Sequence, residues 1–281
     1  MTKTEIQRFR DDFGVDIEIV DHWECPSDNG AKILSMPNIP IALHGKGMQP
    51  RTVYGSTTWE FMRKKCYYNA DYKSEITGVE PGKGLLHCHE LFKIDYAKQE
   101  SEFVRCIALA KIEHDFIHSG RLITLYKEGN PTVPKSYLLK VVENGFKIIS
   151  DHNKAHPEEE PVRCYGTFLQ YLREPELKDK MLELIDKYDI KFYSEVIPRT
   201  KLFKGWHVII GNKRYDSPYK SQGDWEAAMK VARRNDFTRN LKNPFDGGAY
   251  DELKAAMKKV NVVKEIPGCK PGRVSKRKEK E

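Results

Sequence analysis

The chain has 281 residues, 39% of them hydrophobic and 32% charged, and its 48 Lys and Arg against 41 Asp and Glu leave a net charge of +7. That length supports a sizeable buried core, and the aromatic content excludes wholesale disorder despite a mean hydropathy of −0.66. The basic excess suits a polyanionic partner, while six scattered cysteines with no C-x2-C pair exclude a disulfide framework and a self-evident zinc knuckle.

Met1 to Arg10 is charged and lacks the apolar core of a signal peptide, and no stretch approaches the ~18 apolar residues of a membrane span. The expected location is the cytoplasm, with no membrane partner. Val15, Ile17 and Ile19 alternate with Asp16 and Glu18, the period of a half-buried strand, and the residues up to Lys46 are rich in Pro, Gly and Asn. Thr57 and Glu60 have capping-box spacing, and Trp59, Met62, Arg63 and Cys66 follow at helical intervals, which predicts a helix from about Thr58 to Asn69. Extended segments around Ser74 to Ile76 and Leu85 to Glu90 flank the run Gly78 to Gly84, a hairpin-like pattern. The glycine run is not a phosphate loop, because Gly84 follows Lys83 where Ser or Thr is required. Ile107 to Ile117 reads as helical by period and closes at Ser119-Gly120.

Residues 136–156 predict a helix interrupted near Asn144-Gly145. Pro175 opens another, with Leu177, Met181, Leu184, Ile185 and Tyr188 on one face. Strand-like Ile190 to Ile197 comes next, then a hairpin in which Trp206 to Ile210 turns at Gly211-Asn212 into Lys213 to Tyr215. Helices from about Asp224 to Arg234 and Tyr250 to Val260 complete the ordered part. Seven cations against three acids from Lys264 to Glu281 mark a disordered basic tail, either a solubilising extension or a phosphate-binding arm.

Four of the nine histidines fall between His87 and His118. His87 and His89 are two apart on an expected strand, and His114 and His118 are four apart on an expected helix. Each pair shares a face, so both can point into one site. Imidazole is both a metal ligand and a base near neutral pH.

The stretches Ser74-Glu75-Ile76-Thr77-Gly78, Leu86 to Asp95, Ile107 to His114 and His118-Ser119-Gly120 resemble an HNH endonuclease. The resemblance is to the phage and bacterial subgroup with a C-H-E strand motif, and it covers about residues 42–130. It implies an α+β protein with a ββα-metal core, flanking helices and a small α+β C-terminal region. It further implies hydrolysis of phosphodiester bonds in DNA with one divalent ion, Mg²⁺, Mn²⁺, Ni²⁺ or Zn²⁺, in a phage or mobile-element setting. By the same resemblance His89 is the general base and His114 a metal ligand. His118 is a second ligand or a phosphate contact, and Cys88 stands at a motif position beside the base as a further ligand. Candidate nucleic-acid contacts are His87, Arg105, Lys111, Arg121, Arg63 and Lys64, the last two lying among the aromatics Trp59, Tyr67 and Tyr68.

The chain also departs from the family. Ser74, Thr77, Ala110 and Glu113 stand where many relatives place the four cysteines of a structural zinc, so no such knuckle is expected. Arg105 falls at the family's middle Asn, and Cys88 is a soft ligand poorly suited to Mg²⁺. Either packing by Ile76, Leu86, Leu109 and Ile112 replaces the zinc and the nuclease persists, or the chain is a catalytically silent HNH-derived protein that binds nucleic acid or a phage or host protein. The expected organisation is a strand and loop region over 1–52, the HNH-like domain over 53–130, a helical extension over 131–175, a small α+β domain over 176–266, and the tail over 267–281.

Overall fold

A computed structural model describes residues 1–26, 30–43, 48–82, 84–196 and 203–228. Its helices are α1 (Lys3–Phe13), α2 (Ala31–Leu34), α3 (Pro50–Val53), α4 (Gly55–Asn69), α5 (Lys111–Ile117), α6 (Ser119–Lys127), α7 (Lys135–Ala155) and α8 (Pro175–Lys187). Its strands are β1 (Ile17–Val20), β2 (His22–Trp23), β3 (Leu86–Asp95), β4 (Glu100–Ala110), β5 (Cys164–Tyr165), β6 (Phe192–Glu195), β7 (His207–Ile210) and β8 (Lys213–Asp216). The protein is α+β. The expected helix over Tyr250 to Val260, the basic tail and all but the start of the helix from Asp224 lie outside the described residues.

Two sheets organise the chain. The first is parallel, in the order β1-β6-β5, and the second runs β2-β3-β4-β7-β8 around the long antiparallel hairpin β3-β4. Strands that the sequence distributes among the segments 1–52, 53–130 and 176–266 therefore share one sheet. The hairpin is covered on both sides, since α4 packs on β3 and β4, and α5 packs on the same two strands and on α7.

That double cover explains one misreading. Ile107, Ala108 and Leu109 are all fully buried. A strand buried on both faces loses its alternation and reads as an unbroken apolar run, which periodicity does not distinguish from a helix. Residues 100–110 are strand, and the helix begins only at Lys111. The partner of β3 is β4 rather than Ser74 to Ile76, which form a turn closed by Ser74 N–H to the Val79 carbonyl at 2.9 Å and Gly78 N–H to the Ser74 carbonyl at 2.8 Å.

Helix α7 runs without interruption through Asn144-Gly145. Gly145 is there to admit the Phe116 ring, because a Cβ built on it would lie 2.1 Å from a Phe116 carbon. Phe116 stacks on Phe168 at 4.5 Å between ring centres, and Phe168 meets Phe146 at 5.5 Å, so α5 rests on an aromatic platform.

Helix α1 is absent from the sequence reading although its signals are present. Thr2 accepts from Glu5 N–H at 3.2 Å, the Glu5 carboxylate accepts from Thr2 N–H at 2.9 Å, and Gly14 closes the helix at φ +64°. Helix α4 starts at Gly55, ahead of the proposed Thr57 cap. Ile19, expected on the buried face of β1, is 46% exposed. The Pro175 helix and the hairpin turned at Gly211-Asn212 stand where the sequence places them, with Asn212 at φ +65°.

Candidate metal centre

Four imidazoles meet where the hairpin gives way to α5. On β3, His87 lies opposite Leu109 and His89 opposite Ile107, so the pleat sends both toward α5. Helix α5 brings His114, and its C-cap residue is His118. Ring centres are 4.9 Å apart for His87 and His114, 5.2 Å for His89 and His114, 4.8 Å for His89 and His118, and 4.6 Å for His114 and His118. One ring nitrogen from each of His89, His114 and His118 lies within 4.8 Å of the other two, close enough to share an ion.

His89 is 3% exposed, and neither of its ring nitrogens has a hydrogen-bond partner among the described residues. Nδ1 of His114 is likewise buried without one. Buried polar atoms are satisfied in nearly all folded proteins, so orphan nitrogens on two adjacent rings call for a ligand, and a divalent cation can take one nitrogen from each ring. Burial first, then the neighbouring His118 and His114, holds His89 well below the ordinary histidine range. Burial and His114 lower His87 in the same direction. The neutral imidazoles that result are the form able to bind a metal or accept a proton. Nitrogen donors of this kind suit Zn²⁺ or Ni²⁺ better than Mg²⁺ or Mn²⁺.

Asp115 anchors the helical side of the cluster. Its carboxylate accepts from Lys111 Nζ and, at 2.6 Å, from the Tyr137 hydroxyl, and it lies 3.8 Å from His114 Nδ1. Burial works against its ionisation, but the neighbouring His114 and the hydrogen bonds from Lys111 and Tyr137 prevail and hold it well below the usual carboxylate range.

Cys88 does not join the imidazoles. It sits between His87 and His89 on β3, so alternation turns it to the α4 side, where it neighbours the thiols of Cys106 and Cys66. Those contacts lower Cys88 and raise the other two thiols. Its expected role as a ligand beside His114 and His118 is corrected on that ground.

The expected nucleic-acid contacts divide. Arg63 and Lys64 pair with Glu60 at 2.8 and 3.5 Å, Arg105 with Glu75 at 3.6 Å, and Lys111 with Asp115. Arg121 is exposed on α6, and His87 lies against His114. Helix α4 also exposes Phe61 and Tyr68 beside its lysines.

The four positions matching the family's structural cysteines do converge, but on a carboxylate rather than a metal. Glu113 is 1% exposed. It accepts from the Ser74 hydroxyl at 2.6 Å, the Thr77 hydroxyl at 2.8 Å and the Ala110 N–H at 2.8 Å. Ser74 Oγ in turn accepts from the N–H groups of Ile76 and Thr77. A polar clasp closes the base of the hairpin beside the expected apolar packing, in which Leu109 is fully buried and Ile76 and Ile112 pack against the core. In the sequence Ser74, Thr77 and Glu113 stand out only as absent cysteines; the signal they carry is their capacity to satisfy one another. No helix among the described residues is long and apolar enough to cross a membrane. Comparison with known proteins finds no matching family model, curated protein or solved structure, so the chemistry of this site rests on its own residues.

Proposed function

We propose that the protein is a metal-dependent, HNH-like endonuclease that hydrolyses phosphodiester bonds in DNA. The observation that carries this reading is the convergence of His89, His114 and His118, the first two with orphan ring nitrogens, at the junction of a β-hairpin and the helix that follows it. A strand-strand-helix unit presenting imidazoles in this way supports the ββα-metal core implied by the resemblance.

His114 and His118 would hold one divalent ion, His114 steadied by Asp115. When bound, the ion supplies positive charge where the pentacovalent phosphate and the leaving oxygen accumulate negative charge. His89, kept neutral by burial, takes a proton from the attacking water. The half-buried His87 lies against His114, and Arg121, exposed on α6 three residues beyond His118, is the candidate cation for phosphate oxygens. The low exposure of His89 favours a second assignment within the same reading, in which all three imidazoles are ligands and His87, less buried and also neutral, is the base.

Plasmid nicking in Mg²⁺, Mn²⁺, Ni²⁺ or Zn²⁺ tests the proposal, with calorimetric metal titration alongside. His114→Ala is expected to abolish metal binding and to reduce nicking at least ~10²-fold. His89→Ala distinguishes the two assignments: retained metal affinity with lost turnover identifies a base, and loss of both identifies a ligand. Absence of nicking by the intact chain with every metal overturns the enzyme and leaves the silent binding protein.

A further inference from the structure

Helix α7 ends in a second group of metal-ligating side chains. Its 21 residues close at Ala155 with His156 as the C-cap, and His152 stands one turn earlier, its ring centre 4.7 Å from that of His156. The chain then turns back, Glu159 N–H donating to the His156 carbonyl at 3.1 Å, and brings two carboxylates to the imidazole. One oxygen of Glu158 and one of Glu159 each lie 3.7 Å from Nδ1 of His156, and a ligand atom from each of the three residues falls within 4.8 Å of the other two. The side chains of His156, Glu158 and Glu159 are 44%, 70% and 39% exposed, so an ion reaches all three from solvent without any opening of the fold.

Exposed carboxylates by themselves need no ion. This group differs in having an imidazole donor among them and a frame that holds the donors in place beforehand. The Asn153 side chain accepts from Val162 N–H at 2.8 Å and donates to the Val162 carbonyl at 3.1 Å, which ties the far end of the return loop to the last turns of α7. Lys32 on α2 donates to Oε2 of Glu159 at 2.7 Å, while the other oxygen, Oε1, faces His156. The ring of His152 packs beside that of His156 and limits its rotation. Donors fixed in advance lose less freedom when they bind, and the C-terminal end of a helix carries the negative pole of its dipole, which favours a cation. One nitrogen and two carboxylate oxygens suit a divalent transition-metal ion, with water in the remaining positions, better than Mg²⁺ or Ca²⁺, which take oxygen ligands alone. The group is also remote from the imidazole cluster. Tyr137, which reaches that cluster through Asp115, lies about 22 Å before His152 along the same helix, so the two groups do not share an ion.

We propose that His156, Glu158 and Glu159 form a second metal site, for a divalent transition-metal ion such as Zn²⁺, at the C-terminal end of α7.

Calorimetric Zn²⁺ titration of the full chain and its variants tests the site. The parent is expected to bind one more Zn²⁺ than His156→Ala does, whether or not the imidazole cluster takes an ion of its own. Glu158→Gln and Glu159→Gln should each weaken this site at least about tenfold, since loss of a ligand costs no less than loss of a group that orients one. The ion that His114→Ala releases is the cluster's, and that variant should still bind one Zn²⁺ at the end of α7. Mg²⁺ in tenfold excess over Zn²⁺ should leave binding at this site unchanged. Circular dichroism checks that each variant is folded, and His156→Gln takes the place of a His156→Ala protein that is not, with the same loss expected. Equal numbers of Zn²⁺ in the parent and in the His156 variant, affinities within twofold of the parent in both glutamate variants, or displacement of Zn²⁺ by Mg²⁺ overturns the proposal. No arm reads DNA cleavage, and the His114 and His156 variants report on different ions, so failure here leaves the nuclease reading standing and failure of that reading leaves this site standing.

Discussion

Replacing Glu113 by Ala removes the acceptor on which three donors converge. The Ser74 hydroxyl belongs to a residue 2% exposed, so its unmade hydrogen bond carries a desolvation cost of about 1–3 kcal/mol. The Thr77 hydroxyl and the Ala110 N–H are nearer solvent and cost about 1 kcal/mol each. The total is about 3–5 kcal/mol. For a compact unit spanning Met1–Met229, each kcal/mol shifts the melting temperature by about 2–4 °C, so a fall on the order of 10 °C is expected by calorimetry or circular dichroism. Glu113→Gln, which keeps one acceptor oxygen, should fall between the variant and the parent. The difference in melting temperature between Glu113→Ala and the parent should be the same with and without a chelator, since no thiolate cage holds this end of the hairpin. Replacing Ser74, Thr77, Ala110 and Glu113 together by Cys should make stability zinc-dependent and chelator-sensitive. A fall below about 2 °C for Glu113→Ala would refute the clasp.

Three further outcomes follow from the same geometry. Gly145→Ala should destabilise, since the ~1 kcal/mol gained in helix propensity is outweighed by ~1–3 kcal/mol of overpacking against Phe116; a raised melting temperature would contradict it. Metal affinity should fall with it, because Phe116 seats the helix that carries His114. His89 is depressed below its ordinary value of 6.5, so the unfolded chain binds the extra proton first, and metal-free stability should be intact above about pH 6.5 and decline as pH falls below it. Denaturant midpoints between pH 7 and pH 5 check this, and His89→Gln should flatten the slope. Cys88→Ser should leave metal affinity within about twofold of the parent, because the thiol faces Cys66 and Cys106; a tenfold loss by titration would return Cys88 to the imidazole side.

What the sequence made legible was local chemistry with few alternatives. The spacing of His87, His89, His114 and His118 placed each pair on a face, and Pro175 and Gly211-Asn212 fixed a helix start and a turn through backbone constraints that act within a few residues. What it hid depends on distant partners. The β3-β4 pairing cannot be read from residues 100–110, since their burial between α4 and α5 removes the alternation that marks a strand. Gly145 reads as a helix break until Phe116 is seen above it. Glu60, Glu75 and Asp115 lie within 30 residues of the basic side chains they pair with, but only the fold shows that those cations are already engaged.

The brace and the imidazole cluster are therefore separable parts of one unit. The hairpin is paired along its edges, β2 joining β3 and β7 joining β4, and α4 and α5 cover its faces. Held in this way, it needs only a short-range tie where β4 turns into α5, and Glu113 provides one from the first turn of the same helix that carries His114. A carboxylate with all three donors in place fixes that turn as firmly as a metal would, without requiring thiolates. Ser74, Thr77, Ala110 and Glu113 thus form a closed set of hydrogen-bond partners. In the imidazole cluster, by contrast, both ring nitrogens of His89 and Nδ1 of His114 are buried without a hydrogen-bond partner among the described residues. A structural role was open to the first group and was filled by hydrogen bonds; for the second the unmet hydrogen-bonding capacity of His89 and His114 remains, and a bound ion is the simplest way to satisfy it.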